Sequence, residues 1–353
     1  MDNISNPLIR WYSYNKRALP WRETKDPYKI WVSEIILQQT RVNQGLNYYD
    51  RFIDKYPDVQ SLADSSIDEL LKLWQGLGYY SRARNMHYTA NEIVREFKGQ
   101  FPSDYSDLLK LKGIGDYTAS AIASISFNQT TAVLDGNVFR VVSRFFGISE
   151  STQTASGKKV FKEKLSELIP KKDPGTFNQA IMEFGALQCT PHNPDCTNCP
   201  LKTSCFAFNH QMISELPVKK QKVKQQDRFF NYFFIIHDEY TFIEQRTSND
   251  IWKLLYQLPL IETAKEVSMK ELQENKLWIN LFNDCELEID PKPVKKKHIL
   301  SHQKIHARFY KIKVKSLNGP FEKKYQKIHF SELQNIGVPK LLENYLAQIN
   351  NLK

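Results

Sequence analysis

The sequence predicts two domains of different class, an all-α domain over residues 1–212 followed by an α+β domain over residues 227–353. Three observations lead there. A chain of 353 residues exceeds a single typical core, since domains average roughly 150 residues. From Ile30 to Gly185 apolar residues recur at spacings of three and four, the period of a helix with one buried face. Beyond Cys205 that period gives way to short strand-like runs.

In the first half, Pro57, Gly76, Gly78, Gly99, Pro102, Gly113 and Gly147 punctuate the pattern and are read as helix stops. Val138, Val141, Val142 and Phe145 form one apolar stripe over two turns and predict a core-facing helix. Between Ile213 and Arg228, Lys219, Lys220, Lys222, Lys224 and Pro217 leave little to bury, so residues 213–226 are read as a basic linker. The second domain opens with runs at 229–236 and 241–244. It continues with Tyr310, Ile312 and Val314 alternating with Lys311, Lys313 and Lys315, and closes on a helix near 340–349.

Composition narrows the function. A net charge of +10 with 12% aromatic residues describes a packed protein with a polyanionic partner, either nucleic acid or an anionic membrane surface. The longest uncharged stretch, 117–134, is broken by Ser, Thr, Asn and Gln, which argues against a membrane span. The first twenty residues carry Asp2, Arg10, Lys16 and Arg17 without an apolar core, so no secretory signal is expected and a cytoplasmic location is. Four of the five cysteines crowd between 189 and 205, which in a reducing compartment favours a metal site over disulfides. Cys285 stands apart and is expected to be a small buried apolar residue.

Three constellations carry chemistry. The segment Leu-Lys-Gly-Ile-Gly-Asp-Tyr-Thr-Ala begins at Leu111, and its glycines Gly113 and Gly115 permit unusual backbone angles in a turn between two short helices. It resembles a helix-hairpin-helix motif, whose backbone N–H groups bind a DNA phosphate without reading sequence. Cys189, Cys196, Cys199 and Cys205 follow the spacing C-x6-C-x2-C-x5-C, which alone suits either zinc or a 4Fe-4S cluster. Glu34 shares a helix face with Ile30, Trp31 and Leu37, and such apolar surroundings raise a carboxyl pKa toward that of a general acid. Asp135 precedes the Val138 stripe at an N-cap position, where helix N–H groups favour the ionised form. Two carboxylates with diverging pKa values are what glycosidic cleavage requires.

The motif Leu-Pro-Trp-Arg at 19–22, Asp-Pro-Tyr at 26–28 and Trp-Val-Ser-Glu-Ile-Ile-Leu-Gln-Gln-Thr-Arg-Val at 31–42 closely resembles MutY-type adenine DNA glycosylases of the endonuclease III superfamily. Gln-Gly-Leu-Gly-Tyr-Tyr-Ser-Arg-Ala-Arg-Asn at 75–85 and Val-Leu-Asp-Gly-Asn-Val at 133–138 extend the likeness over most of residues 8–205. The resemblance implies a helix-hairpin-helix glycosylase domain in which the four cysteines hold a 4Fe-4S cluster. It implies that Glu34 protonates adenine N7 and that Asp135 stabilises an oxocarbenium-like sugar, with Asn137 and Tyr117 in the same catalytic set. Tyr117 stands where lyase-competent relatives carry Lys, so no Schiff base is expected.

The same resemblance assigns Gln39, Leu77 and Tyr79 to wedging the duplex beside an extruded base, and Arg17, Trp21 and Arg22 to lining or supporting the adenine pocket. Leu37 and Thr40 join them as substrate contacts, with Gly113 and Gly115 on the phosphate. In the second domain, His298-Ile-Leu-Ser-His302 is similar to the family's 8-oxoguanine loop, with Leu300 in place of the usual Phe; Ser301 and His302 are the expected contacts. The domain resembles a Nudix fold. Its only glycines, Gly319 and Gly337, lie far from the helix expected near Met269, so recognition without hydrolysis is expected. The implied partner is double-stranded DNA carrying adenine opposite 8-oxoguanine or guanine, met by a monomer of bacterial, nucleoid-associated type. Two rivals remain, an endonuclease III type pyrimidine glycosylase/lyase and a non-catalytic iron-sulfur DNA-binding protein. The first would need a Lys where this chain has Tyr117 and lacks a second domain, and the second has no need of paired carboxylates.

Overall fold

The computed structural model describes residues 4–152, 154–218, 225–283, 285–317 and 319–350. It separates into two compact units: Met1–Asp64 with Asn85–Gln221, and Ser65–Arg84 with Lys222–Lys353. The sequence reading carried the helical domain unbroken to residue 212, whereas Ser65–Arg84 groups with the second unit. The lysines of the proposed basic linker, Lys219, Lys220, Lys222 and Lys224, lie outside the described residues.

The first unit is helical. Its elements are α1 (Ser5–Asn15), α2 (Pro27–Leu37), α3 (Val42–Lys55) and α4 (Val59–Ala63). The boundary helices follow as α5 (Ile67–Leu73), which belongs to the second unit, and α6 (Ser81–Phe97), which spans the boundary between the units. The first unit then continues through α7 (Tyr105–Leu108), α8 (Asp116–Phe127), α9 (Gly136–Phe146), α10 (Ala155–Leu168), α11 (Pro174–Leu187) and α12 (Phe206–Asn209). The glycine stops are real: Gly76, Gly78, Gly99, Gly113 and Gly147 all take positive φ. Val138, Val141, Val142 and Phe145 are buried as one stripe, and α9 packs against α11, which also meets α1 and α8.

Local chemistry sets the helices that build the site. Asp26 caps α2 by accepting from Tyr28 N at 2.9 Å, with Pro27 pre-setting the first turn. Gly113, at φ +82°, turns the chain into α8, and a side chain there would drive into Asn85 at 2.7 Å. Gly115 needs no special conformation, contrary to expectation: it is the N-cap of α8 at φ −88° and simply faces open space.

In the second unit β1 (Gln226–Ile236), β2 (Tyr240–Gln245), β3 (Tyr256–Gln257) and β4 (Leu260–Thr263) are followed by α13 (Met269–Gln273), α14 (Lys276–Phe282), β5 (Leu287–Ile289), β6 (Val294–Ile299), β7 (Gln303–Val314), α15 (Gly319–Lys324), β8 (Gln326–His329) and α16 (Lys340–Asn350). One sheet runs β4-β1-β7-β5 with β6 also paired to β7, and a second runs β3-β2-β8. The β1–β7 pair is parallel, with Phe230 opposite Ala307. A parallel pair buried on both faces explains why β1 reads as a continuous apolar run. Phe233 and Ile235 enter a core with Trp278, Phe282 and Phe321, while Phe234 and Phe309 meet Tyr345 of α16 on the other side. Cys285, expected to be buried, is only half-buried at the edge of this unit.

Candidate active site

A pocket of about 580 Å³ opens in the first unit between α2, α8, α9 and α11. Glu34 projects into it from the middle of α2, 9% exposed, beside Ile30 and Trp31 in the buried face of that helix. Burial pushes its carboxyl up to about 7. A hydrogen bond from Tyr117 opposes that shift, the charge of Asp135 adds to it, and Arg22 opposes it. The Tyr117 hydroxyl, which favours the ionised Glu34, donates to Met182 Sδ at 3.3 Å. Burial also raises the Tyr117 hydroxyl well above its ordinary range, so it remains a donor.

Asp135 caps α9 as expected. Its Oδ1 accepts from Asn137 N at 2.9 Å and Val138 N at 2.8 Å, and its Oδ2 from Asn137 Nδ2 at 2.9 Å. These bonds favour the ionised form, yet burial is the larger influence and the net direction is upward from 3.8, not downward as the cap alone implies. Asn137 is in turn held by Arg140 Nη2 at 2.8 Å, and Arg140 reaches the Cys189 carbonyl with Nε at 2.7 Å.

Glu183 of α11 has no counterpart in the sequence reading. It is 1% exposed and receives both Arg17 and Arg22: Arg17 Nε at 2.8 Å, Arg22 Nη1 at 2.7 Å, and the Nη2 of each at 2.5 Å. Burial alone would raise its carboxyl, but the two guanidinium groups bring it down to about 2. Arg17 and Arg22 thus line the pocket already paired. Trp21 closes the wall, edge-on to Tyr49 at 5.0 Å, and Leu37, Gln39 and Thr40 form the rim.

The other assigned residues lie elsewhere. Gly113 and Gly115 sit in the turn before α8. Leu77, Tyr79, Ser301 and His302 belong to the second unit, where Leu77 is buried, Tyr79 is half exposed at φ +48°, and the Tyr79 hydroxyl bonds Ser301 Oγ at 2.5 Å.

The four cysteines border one small cavity of about 30 Å³ and form no disulfide. Arg144 Nη1 approaches Cys189 Sγ at 3.5 Å and ties down the Thr190 carbonyl at 2.8 Å. Burial pushes Cys199 up to about 11 and also raises Cys196 and Cys205. Among the described residues no three His, Cys, Asp or Glu side chains converge as a single ion requires.

A buried acid facing a capped carboxylate, in a helical unit entered through a glycine hairpin, defines a base-excision DNA glycosylase. The profile described as HhH-GPD superfamily base excision DNA repair protein matches residues 32–171, and a NUDIX domain profile matches residues 231–348. An adenine DNA glycosylase of Buchnera aphidicola from Acyrthosiphon pisum is 35% identical over 98% of both chains, and one from Schizaphis graminum is 41% identical over 78% of this chain and 80% of its own. The chain belongs to the adenine DNA glycosylase family. Among solved structures, a thermostable thymine-DNA glycosylase superposes with a TM-score of 0.54 at 27% identity, covering 59% of this chain and 95% of that one. Endonuclease III in a non-covalent DNA complex shares the fold at 23% identity and a TM-score of 0.50, over 59% and 96% of the two chains.

Proposed function

We propose that this enzyme hydrolyses the N-glycosidic bond of adenine mispaired with 8-oxoguanine or guanine, without cleaving the strand. The observation that carries the reading is the buried Glu34 carboxyl, held up to about 7 across the pocket from a carboxylate bound by three N–H donors. Near neutral pH Glu34 carries a proton for adenine N7. The C1′–N9 bond then breaks with its electron pair leaving on a neutral purine, Asp135 stabilises the cationic sugar, and water adds its oxygen to C1′ while returning a proton to the Glu34 carboxylate. Tyr117 fixes the Glu34 carboxyl by hydrogen bonding and offers no amine to C1′.

Residues 1–212 would carry this chemistry and residues 227–353 the opposing-base recognition through Ser301 and His302, with 213–226 as linker. The four cysteines border one small cavity, which suits a shared metal centre, and the family resemblance favours a 4Fe-4S cluster there over zinc. Cys189, Cys196, Cys199 and Cys205 would hold the cluster, which supplies a rigid fastening for the loop beside α9.

One assay tests the reading. The protein is incubated with duplexes carrying adenine opposite 8-oxoguanine, guanine or thymine, and abasic sites are cut with hot alkali. Cleavage is expected opposite the first two, and borohydride should trap no covalent complex unless Tyr117 is changed to Lys. Efficient trapping by the wild type would sink the monofunctional assignment.

A further inference from the structure

The β6–β7 pair is an antiparallel hairpin whose tip carries Leu300, Ser301 and His302. Its register sets Ile299 opposite Lys304, Lys297 opposite His306 and Lys295 opposite Arg308, and cross-strand partners share a face. β1, parallel to β7, adds Asp227, Phe229 and Asn231 to that face. Farther along, the same face is covered: Phe233, Tyr310 and Ile312 enter the core beneath Leu272, Trp278 and Phe282. Nearer the tip the cover stops, and a groove of about 260 Å³ opens, lined by Phe229, Asn231, Lys295, Lys297, His306 and Arg308.

The groove is basic with a flat floor. Phe229 and His306 stack at 4.9 Å, inclined by 14°. Glu266 engages Lys295 at 3.3 Å and also Arg308, and Asp227 engages His306 at 2.6 Å. Among the described residues Lys297 and Lys304 have no ion-pair partner, so the positive face is only partly neutralised. Lys295 and Lys297 recur two residues apart on the same face, about 6.8 Å along a strand.

We propose that this face is a phosphate track for double-stranded DNA, seating the sugar-phosphate backbone that leads to the hairpin tip. The proposal rests on the DNA-repair reading above and adds a surface to it. Phosphate contacts position a duplex without reading bases, so the track should act alike on every mispair.

The test uses the full chain with Lys297→Ala and Lys304→Ala combined, both outside the pocket. Binding to a short undamaged duplex is measured between about 50 and 200 mM salt. The slope of log K against log salt should become shallower by about 1 to 2, at about 0.9 per lost phosphate contact, with affinity down about tenfold at low salt. Lys311→Ala with Lys313→Ala removes the same charge from the opposite face of β7 and should leave the slope nearly unchanged. An unaltered slope in the first pair, or an equal change in the second, overturns the track. Absence of adenine excision by the wild type would instead overturn the glycosylase reading, and the salt slopes would still decide the track.

Discussion

Glu34 is placed where a carboxylate is costly, and the cost has a sign. Its folded-state pKa of about 7 exceeds the ordinary 4.5, so between those values the folded protein binds the extra proton and stability falls as pH rises. Above about 7 the full penalty is present, of order 3 kcal/mol at 1.36 kcal/mol per unit. Glu34→Gln removes that charge. The variant should melt several degrees higher than wild type at pH 8, roughly 5 °C, and lose the advantage below pH 4.5. Excision should fall by at least ~10²-fold in single-turnover assays, because an amide delivers no proton. Near-wild-type excision would send the search for the acid elsewhere in the pocket. The burial of Glu34 and the cap at Asp135 were legible because each is declared locally, one by an apolar helix face and one by a cap position, whereas the burial that outweighs the Asp135 cap comes from distant segments. Glu183 was not: its partners Arg17 and Arg22 stand 166 and 161 residues away, and nothing local distinguishes a buried Glu from a solvated one.

At the scale of the element, α9 joins two parts of the first unit. Its first turn binds Asp135 and its next turns carry Arg140 and Arg144, which reach back to the cysteine loop through the Cys189 and Thr190 carbonyls. The stripe of Val138, Val141, Val142 and Phe145 made this helix visible in the sequence, but the stripe describes only its buried face. Arg140, also buried, reads in sequence as an ordinary interruption of that stripe. Its guanidinium holds Asn137 Oδ1 at 2.8 Å, and Asn137 holds Asp135. Arg140→Ala should therefore loosen the carboxylate and the loop together. The expected outcome is a 10- to 100-fold drop in single-turnover excision, the usual scale for removing a partner that orients a working side chain, accompanied by faster loss of the cluster proposed for the loop to a chelator. Arg140→Lys keeps the charge but cannot span the Cys189 carbonyl and Asn137 together, so it should rescue little. Retained excision with intact metal binding would show the chain of bonds to be incidental.

Over the whole molecule, strands were easier to foresee than the company they keep. The runs at 229–236 and 310–314 became β1 and β7, yet their parallel pairing, and the grouping of Ser65–Arg84 with this unit, depend on contacts between distant segments. Lys72 reaches the Ile336 carbonyl at 3.3 Å, Arg84 the Lys253 carbonyl at 2.9 Å, and Tyr79 the Ser301 hydroxyl. The consequence is functional. Two residues assigned to different tasks, a duplex wedge and a lesion contact, share one hydrogen bond within one compact unit. Where Tyr79 donates in that bond, Ser301 keeps its own hydroxyl proton for a lesion's edge, and His302 is exposed. 8-Oxoguanine differs from guanine in its N7 and O8 edge, so Ser301→Ala with His302→Ala removes the groups expected to discriminate. At about 1 to 3 kcal/mol for each of two base-edge contacts, the preference for adenine opposite 8-oxoguanine over adenine opposite guanine should shrink by at least about 30-fold. Excision opposite guanine at saturating protein should stay near the wild-type rate, since neither side chain belongs to the pocket that holds Glu34. Measuring both rates in the same single-turnover series separates recognition from chemistry: an unchanged ratio removes Ser301 and His302 from lesion reading, whereas equal losses in both arms mean that the substitutions damaged the fold.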